Sequence, residues 1–213
     1  MNMPQRDYLR DPAAIYQKSF ETVRQEAVLA HLPTSVHGLV VRMIHACGMV
    51  DIAEDIRVEG NAAAAGASAL RSGKPVLVDC EMLAHGIIGS RLPAGNKVVC
   101  SLNDPSVPTL AGQQQTTRSA AAVELWGSQL DGAVVAIGNA PTALFRLIEL
   151  LEEGAPQPAA IIAAPVGFVG AVESKQALVD ASLGIPFVTL LGRRGGSAIT
   201  AAGVNALAGE WTQ

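Results

Sequence analysis

The chain has 213 residues, 49% hydrophobic and 16% charged, which is enough apolar material for one domain with a sizeable core. Its net charge of −4 argues against nucleic acid, which needs a basic face, but leaves room for a small polyanionic ligand held by a few convergent arginines. No apolar run reaches the roughly 18 residues of a spanning helix, and the charged start Arg6, Asp7, Arg10, Asp11 lacks a signal-peptide core, so a cytoplasmic protein with no membrane contact is expected.

The first element reads as a helix. Asp11 offers an N-cap, Pro12 suits the first helical position, and Tyr16, Phe20, Val23, Ala27 and Ala30 recur at helical spacing before Leu32-Pro33 stops them. Thr34 or Ser35 is expected to cap a second helix, whose stripe Leu39, Val40, Met43, Ile44, Cys47 ends at Gly48, a natural C-terminal cap. Residues 51–59 read as irregular, and 61–70 as a third, alanine-rich helix. From there strand and helix alternate. Short apolar runs predict strands at 75–78, 97–102, 133–137, 160–164 and 186–191, with helices at 81–88, 117–130, 141–153, 174–183 and 197–207. Five apolar strands joined by helical crossovers predict a single α/β domain over 1–213. Its mostly parallel, five-stranded sheet would carry helices on both faces, with the N-terminal helices preceding it.

In open parallel sheets, ligands bind outside the carboxyl ends of the strands. Those ends are Asp79-Cys80-Glu81, a long polar loop at 103–116, and the turns at 138–141, 165–170 and 192–197. Neither G-x-G-x-x-G nor G-x-x-x-x-G-K-[ST] is present. Gly192-Arg193-Arg194-Gly195-Gly196-Ser197 at a helix start fits either an anion cradle of backbone N–H groups or a tight turn with two solvated arginines. There is no G-x-S-x-G elbow, and Ser68 falls in a helix. Cys80 and His85 could pair as thiol and imidazole, although nothing marks the thiol as activated. Cys47, Cys80 and Cys100 form neither a disulfide framework nor a zinc spacing, and His31, His37, His45 and His85 match no metal motif, so no metal is expected. His45 stands in the last turn of its helix, where the negative end of the dipole favours the imidazolium and is expected to raise its pKa. It fits a general acid or a satisfied structural histidine, and periodicity leaves both open.

Several segments together carry a family resemblance. They are Ile15-Tyr16 to Ser19-Phe20, Arg42-Met43-Ile44-His45-Ala46-Cys47-Gly48, Leu92-Pro93-Ala94-Gly95-Asn96 and Thr117-Arg118-Ser119-Ala120-Ala121, followed by 138–145, 165–175 and 192–197. In that order and over nearly its whole length the chain resembles the precorrin-8X methylmutases, cobalamin-pathway isomerases also called hydrogenobyrinic acid synthases. The resemblance implies an α/β fold, a homodimer with its pocket near the subunit interface, and a tetrapyrrole as the bound partner. It implies a 1,5-sigmatropic shift of a methyl group from carbon 11 to carbon 12 of a corrin precursor, with no external cofactor.

The family's catalytic histidine falls on His45, which would protonate or hydrogen-bond the ring C region. Tyr16 and Ser19, three apart on one helix face, match pocket positions. Thr117 and Arg118 match another, where the guanidinium would clamp a substrate carboxylate. Arg42 is a second such candidate or else a surface cation. Gly167 and Gly195 would let backbone N–H groups approach the carboxylates, with Arg193 beside them. The alternatives left open are the cobalt-precorrin-8 form of the same isomerase, a corrinoid carrier without turnover, and a nucleotide-dependent enzyme on a similar fold.

Overall fold

The computed structural model describes residues 6–209. Asp11 caps the first helix as expected, its carboxylate accepting the N–H groups of Ala13 and Ala14 at the start of α1 (Pro12–Glu26). α2 (His37–Cys47) follows a 3-10 turn at Thr34–Val36, so the expected hydroxyl cap is replaced by a tighter turn that leads into the helix. Gly48 closes α2 in the left-handed region at φ 71°, its N–H bonded to the carbonyl of Ile44.

The sheet has six strands where five were expected. The extra one is β1 (Ile56–Glu59), inside the stretch that reads as irregular. β1 is an edge strand with Ile56 buried and Arg57 exposed, so it lacks the continuous apolar signature of a central parallel strand. The remaining elements are α3 (Ala62–Arg71), β2 (Val76–Val78), α4 (Glu81–Gly86), β3 (Val98–Cys100), α5 (Val107–Gln113), α6 (Arg118–Glu124), β4 (Val134–Ile137), α7 (Pro141–Glu152), β5 (Ala160–Ala163), α8 (Ala171–Asp180), β6 (Phe187–Leu190) and α9 (Ser197–Leu207). Two further expectations are corrected. The loop at 103–116 contains α5, and the helix expected to run to 130 stops at Glu124 before the 3-10 turn Gly127–Leu130, where Gly127 has φ 46°.

Strand order is β1-β6-β5-β4-β2-β3, all parallel except β1, which runs antiparallel to β6 with Ile56 opposite Leu190. Alternation along the strands divides the core into two layers. Val76, Val78, Val134, Ala136, Ile162 and Val188 pack under α2, α3, α4 and α9, while Leu77, Val135, Ile137, Ile161 and Ala163 pack under α7 and α8. Gly203 lets α9 press onto the sheet, since a Cβ there would lie 2.9 Å from the Ile162 side chain. The chain passes from β2 outward to β3, then returns to β4 and continues through β5 to β6. Direction therefore reverses between β2 and β4, and a crevice is expected at that carboxyl edge.

Candidate functional site

Part of that crevice is filled by the protein itself. Asp79, at the end of β2, accepts the N–H groups of Gly138 (3.0 Å), Asn139 (2.9 Å) and Ala140 (2.7 Å) where the chain enters α7. Burial pushes its carboxyl above the ordinary value, and the three donors pull back against that rise. A helix start at a switch point is a ready anion site, and here a side-chain carboxylate already occupies it.

His45 stands where α1 crosses the end of α2. Its Nδ1 lies 2.8 Å from the Ser19 hydroxyl, and its ring is flanked by Tyr16 at 5.4 Å and Phe20 at 5.0 Å between centroids. The helical spacing of Tyr16, Ser19 and Phe20 is what turns all three onto one imidazole. Arg42, one turn earlier on α2, places its guanidinium 5.4 Å from the Phe20 ring and is only 7% exposed, which excludes the surface-cation reading. Burial lowers its pKa to about 10; Tyr16 acts against that fall, and Arg91, carried in by the turn Gly89–Arg91, adds to it.

The expected charge state of His45 is reversed. Burial, and then the neighbouring Arg42 cation, hold its pKa below the ordinary value. The helix end favours a proton, but desolvation and a like charge within one turn outweigh a dipole effect of roughly 0.3–1 kcal/mol. With its proton off at neutral pH, the ring can accept the Ser19 O–H at Nδ1 and keep its own N–H at Nε2.

A second group lies on the loops after β5 and β6. Met49, Val166, Gly167, Phe168, Arg193, Arg194 and Gly195 line an open cavity of about 350 Å³. The Gly167 N–H donates to the Arg193 carbonyl and the Gly196 N–H to that of Ala164, lacing the two loops together. The Arg194 guanidinium is engaged by Asp51 and Asp55, whereas Arg193 lies over the Phe168 ring at 5.5 Å. Gly195 is pressed against the chain just after β5, where a Cβ would come within 2.1 Å of the Ala164 carbonyl oxygen.

Thr117 and Arg118 belong to neither group. Thr117 caps α6 and meets the Thr142 hydroxyl at 2.7 Å, while Arg118 donates to the Leu102 carbonyl and the Asn103 side chain. They sit at the β3 end of the carboxyl edge, exposed, and their hydrogen bonds do not lead to His45. Cys80 and His85 do not pair. The thiol meets the Ser197 hydroxyl at 3.3 Å, and the imidazole bonds the Glu81 carbonyl.

Sequence reasoning assigned no role to Asp79, Arg91 or Lys175. Asp79 carried a signal in its position at a strand end. Lys175 carried none, because a lysine in an amphipathic helix reads as solvent-facing, yet its Nζ is buried and donates to the Arg194 carbonyl at 2.8 Å. Among the described residues no group of three or more His, Cys, Asp or Glu converges as a metal site, and no helix is long and apolar enough to cross a membrane.

A family model described as precorrin-8X methylmutase matches residues 14–210. The chain is 56% identical to a precorrin-8X methylmutase of Pseudomonas aeruginosa, covering 96% of this chain and 98% of that one. It is 53% identical to another from Sinorhizobium sp, covering 97% and 98%. Its fold superposes on the crystal structure of a precorrin-8X methyl mutase from Thermus thermophilus with a TM-score of 0.83 at 39% identity, covering 92% of this chain and 94% of that one.

Proposed function

We propose that in this chain, which belongs to the precorrin-8X methylmutase family, His45 supplies the proton for the isomerisation that defines the family. The reaction moves a methyl group within precorrin-8X to give hydrogenobyrinic acid. The observation that carries the role of His45 is its setting: one imidazole held by Ser19 at 2.8 Å and walled by Tyr16 and Phe20 where α1 meets the end of α2.

A methyl migration is an isomerisation, so electrons balance within the substrate and a proton lent at one position is recovered at another. The catalyst's task is to orient the macrocycle and move that proton. Ser19 fixes the ring orientation of His45 and leaves Nε2 for the substrate. Tyr16 offers a flat, half-exposed face for the corrin plane, and burial, with Arg42 adding to it, holds the imidazole below its ordinary pKa, so that the protonated form discharges readily. Substrate carboxylates fall to Arg118 with Thr117 on one side and to Arg193, Gly195 and Gly167 on the other, with Arg42 closest to the reacting end.

Two finer points extend this. The metal-free substrate is favoured over its cobalt form by the naming of the two relatives above half identity. A homodimer is favoured by Phe168 and Val169, 86% and 89% exposed beside the cavity, which a second copy would cover. Such an isomerase works in the cytoplasm as part of a biosynthetic route.

The test is His45→Ala mixed with purified precorrin-8X and followed by its visible spectrum. The variant is expected to bind the pigment while converting it 100-fold or more slowly, on the order of what a positioned acid contributes. A wild-type protein that binds precorrin-8X without converting it would establish a carrier instead.

A further inference from the structure

We propose that Lys175 is a positioning residue that turns the Gly195 N–H into the cavity as a donor to a substrate carboxylate, a role that rests on reading the 192–197 loop as a carboxylate site. Lys175 lies in α8 with 0% exposure, and its Nζ donates to the carbonyl oxygen of Arg194 at 2.8 Å. That carbonyl and the Gly195 N–H belong to one peptide plane. In a trans peptide the two point in opposite directions, and the described residues contain no cis bond. Drawing the carbonyl inward onto a buried ammonium therefore aims the N–H outward, at the cavity that Gly195 lines. The Gly195 N–H meets no acceptor among the described residues. The ammonium also polarises the peptide and strengthens its donor.

The surroundings keep this donor exposed. The Arg194 guanidinium is engaged by Asp51 and Asp55, and the close approach of Gly195 to the Ala164 carbonyl leaves no space for a side chain there. A buried ammonium costs stability, and burial lowers the pKa of Lys175 to about 8 although Asp55 acts to raise it. Methionine would fill the same space without the buried charge, and the Arg194 carbonyl it releases lies on a partly exposed loop. A lysine buried at a cost in stability, and bonded to a peptide of the loop that lines the cavity, fits a functional demand better than a packing one.

The test compares Lys175→Met with Arg193→Gln, using precorrin-8X and reading melting temperature, kcat and KM separately. Lys175→Met is expected to melt no lower than wild type and to keep kcat within about twofold while KM rises about tenfold. In wild type KM should climb as pH passes above about 8 and the ammonium discharges, a limb that Lys175→Met lacks. The charged group that acts on the lysine is Asp55, just before β1, and the Arg194 carbonyl is its hydrogen-bond partner. A Lys175→Met that melts lower or fails to fold, or one that leaves KM and its pH limb unchanged, overturns the proposal. If Arg193→Gln raises KM and Lys175→Met does not, the loop reading stands and the lysine is a packing residue. If neither raises KM, the loop is not a carboxylate site.

Discussion

Two strand-to-helix turns lie at the carboxyl edge of this sheet, and they differ in how their N–H groups are used. At 138–141, between β4 and α7, three backbone N–H groups converge and Asp79 takes all of them. At 192–197, between β6 and α9, the Arg193 and Arg194 carbonyls are taken by the Gly167 N–H and by Lys175, and the N–H of Gly195, which lines a cavity, has no acceptor among the described residues. An α/β sheet offers an anion cradle wherever a strand feeds a helix. One internal carboxylate suffices to close a cradle, and on the proposed reading an anionic ligand is left the turn that remains open.

Removing the carboxylate from the closed turn has the largest effect. Asp79→Ala strands three N–H groups, two of them on buried residues, and should cost about 3–5 kcal/mol, lowering the melting temperature by roughly 10 °C in a thermal scan. Adding a carboxylate to the open turn tests the other half of the contrast. Val166→Asp places an acid on the half-exposed cavity wall facing Gly196, and it should raise KM about 30-fold while leaving the melting temperature nearly unchanged. An unchanged KM in that variant would mean that the turn receives no carboxylate. Ser19→Ala acts at His45 and not at either turn, so kcat should fall about tenfold with KM unaltered, because the imidazole loses the partner that fixes its orientation. The smallest effect is expected from Arg118→Ala, a KM increase of about fivefold. Its guanidinium is exposed, and a charge-assisted bond made in solvent is worth little.

Much of the fold was legible because its signals are local. Asp11 caps α1, Gly48 ends α2, and the last helix runs from Ser197 to Leu207 as its spacing predicts. β1 was hidden because a four-residue edge strand with one wet face looks like a loop. In the site, Tyr16 and Ser19 share a helix face by spacing alone, but their meeting with His45 spans 26 residues and is set by how α1 crosses α2. The charge state of His45 was misread for the same reason. The helix dipole is visible in sequence, whereas burial and the inward turn of Arg42 are properties of packing. Lys175 was illegible because its partner is a backbone carbonyl on another loop.

The most direct test of His45 as the proton donor is the dependence of kcat on pH in wild type, Arg42→Met and His45→Gln. Burial and Arg42 lower the pKa of His45, so the active acid form accumulates only below the ordinary histidine value near 6.5. Wild-type kcat should rise as pH falls from about 8 and level off below that value. In Arg42→Met the rise should move to higher pH, and in His45→Gln it should vanish with the rate reduced 100-fold or more. A His45→Gln enzyme that keeps both the wild-type rate and its pH dependence would contradict the assignment.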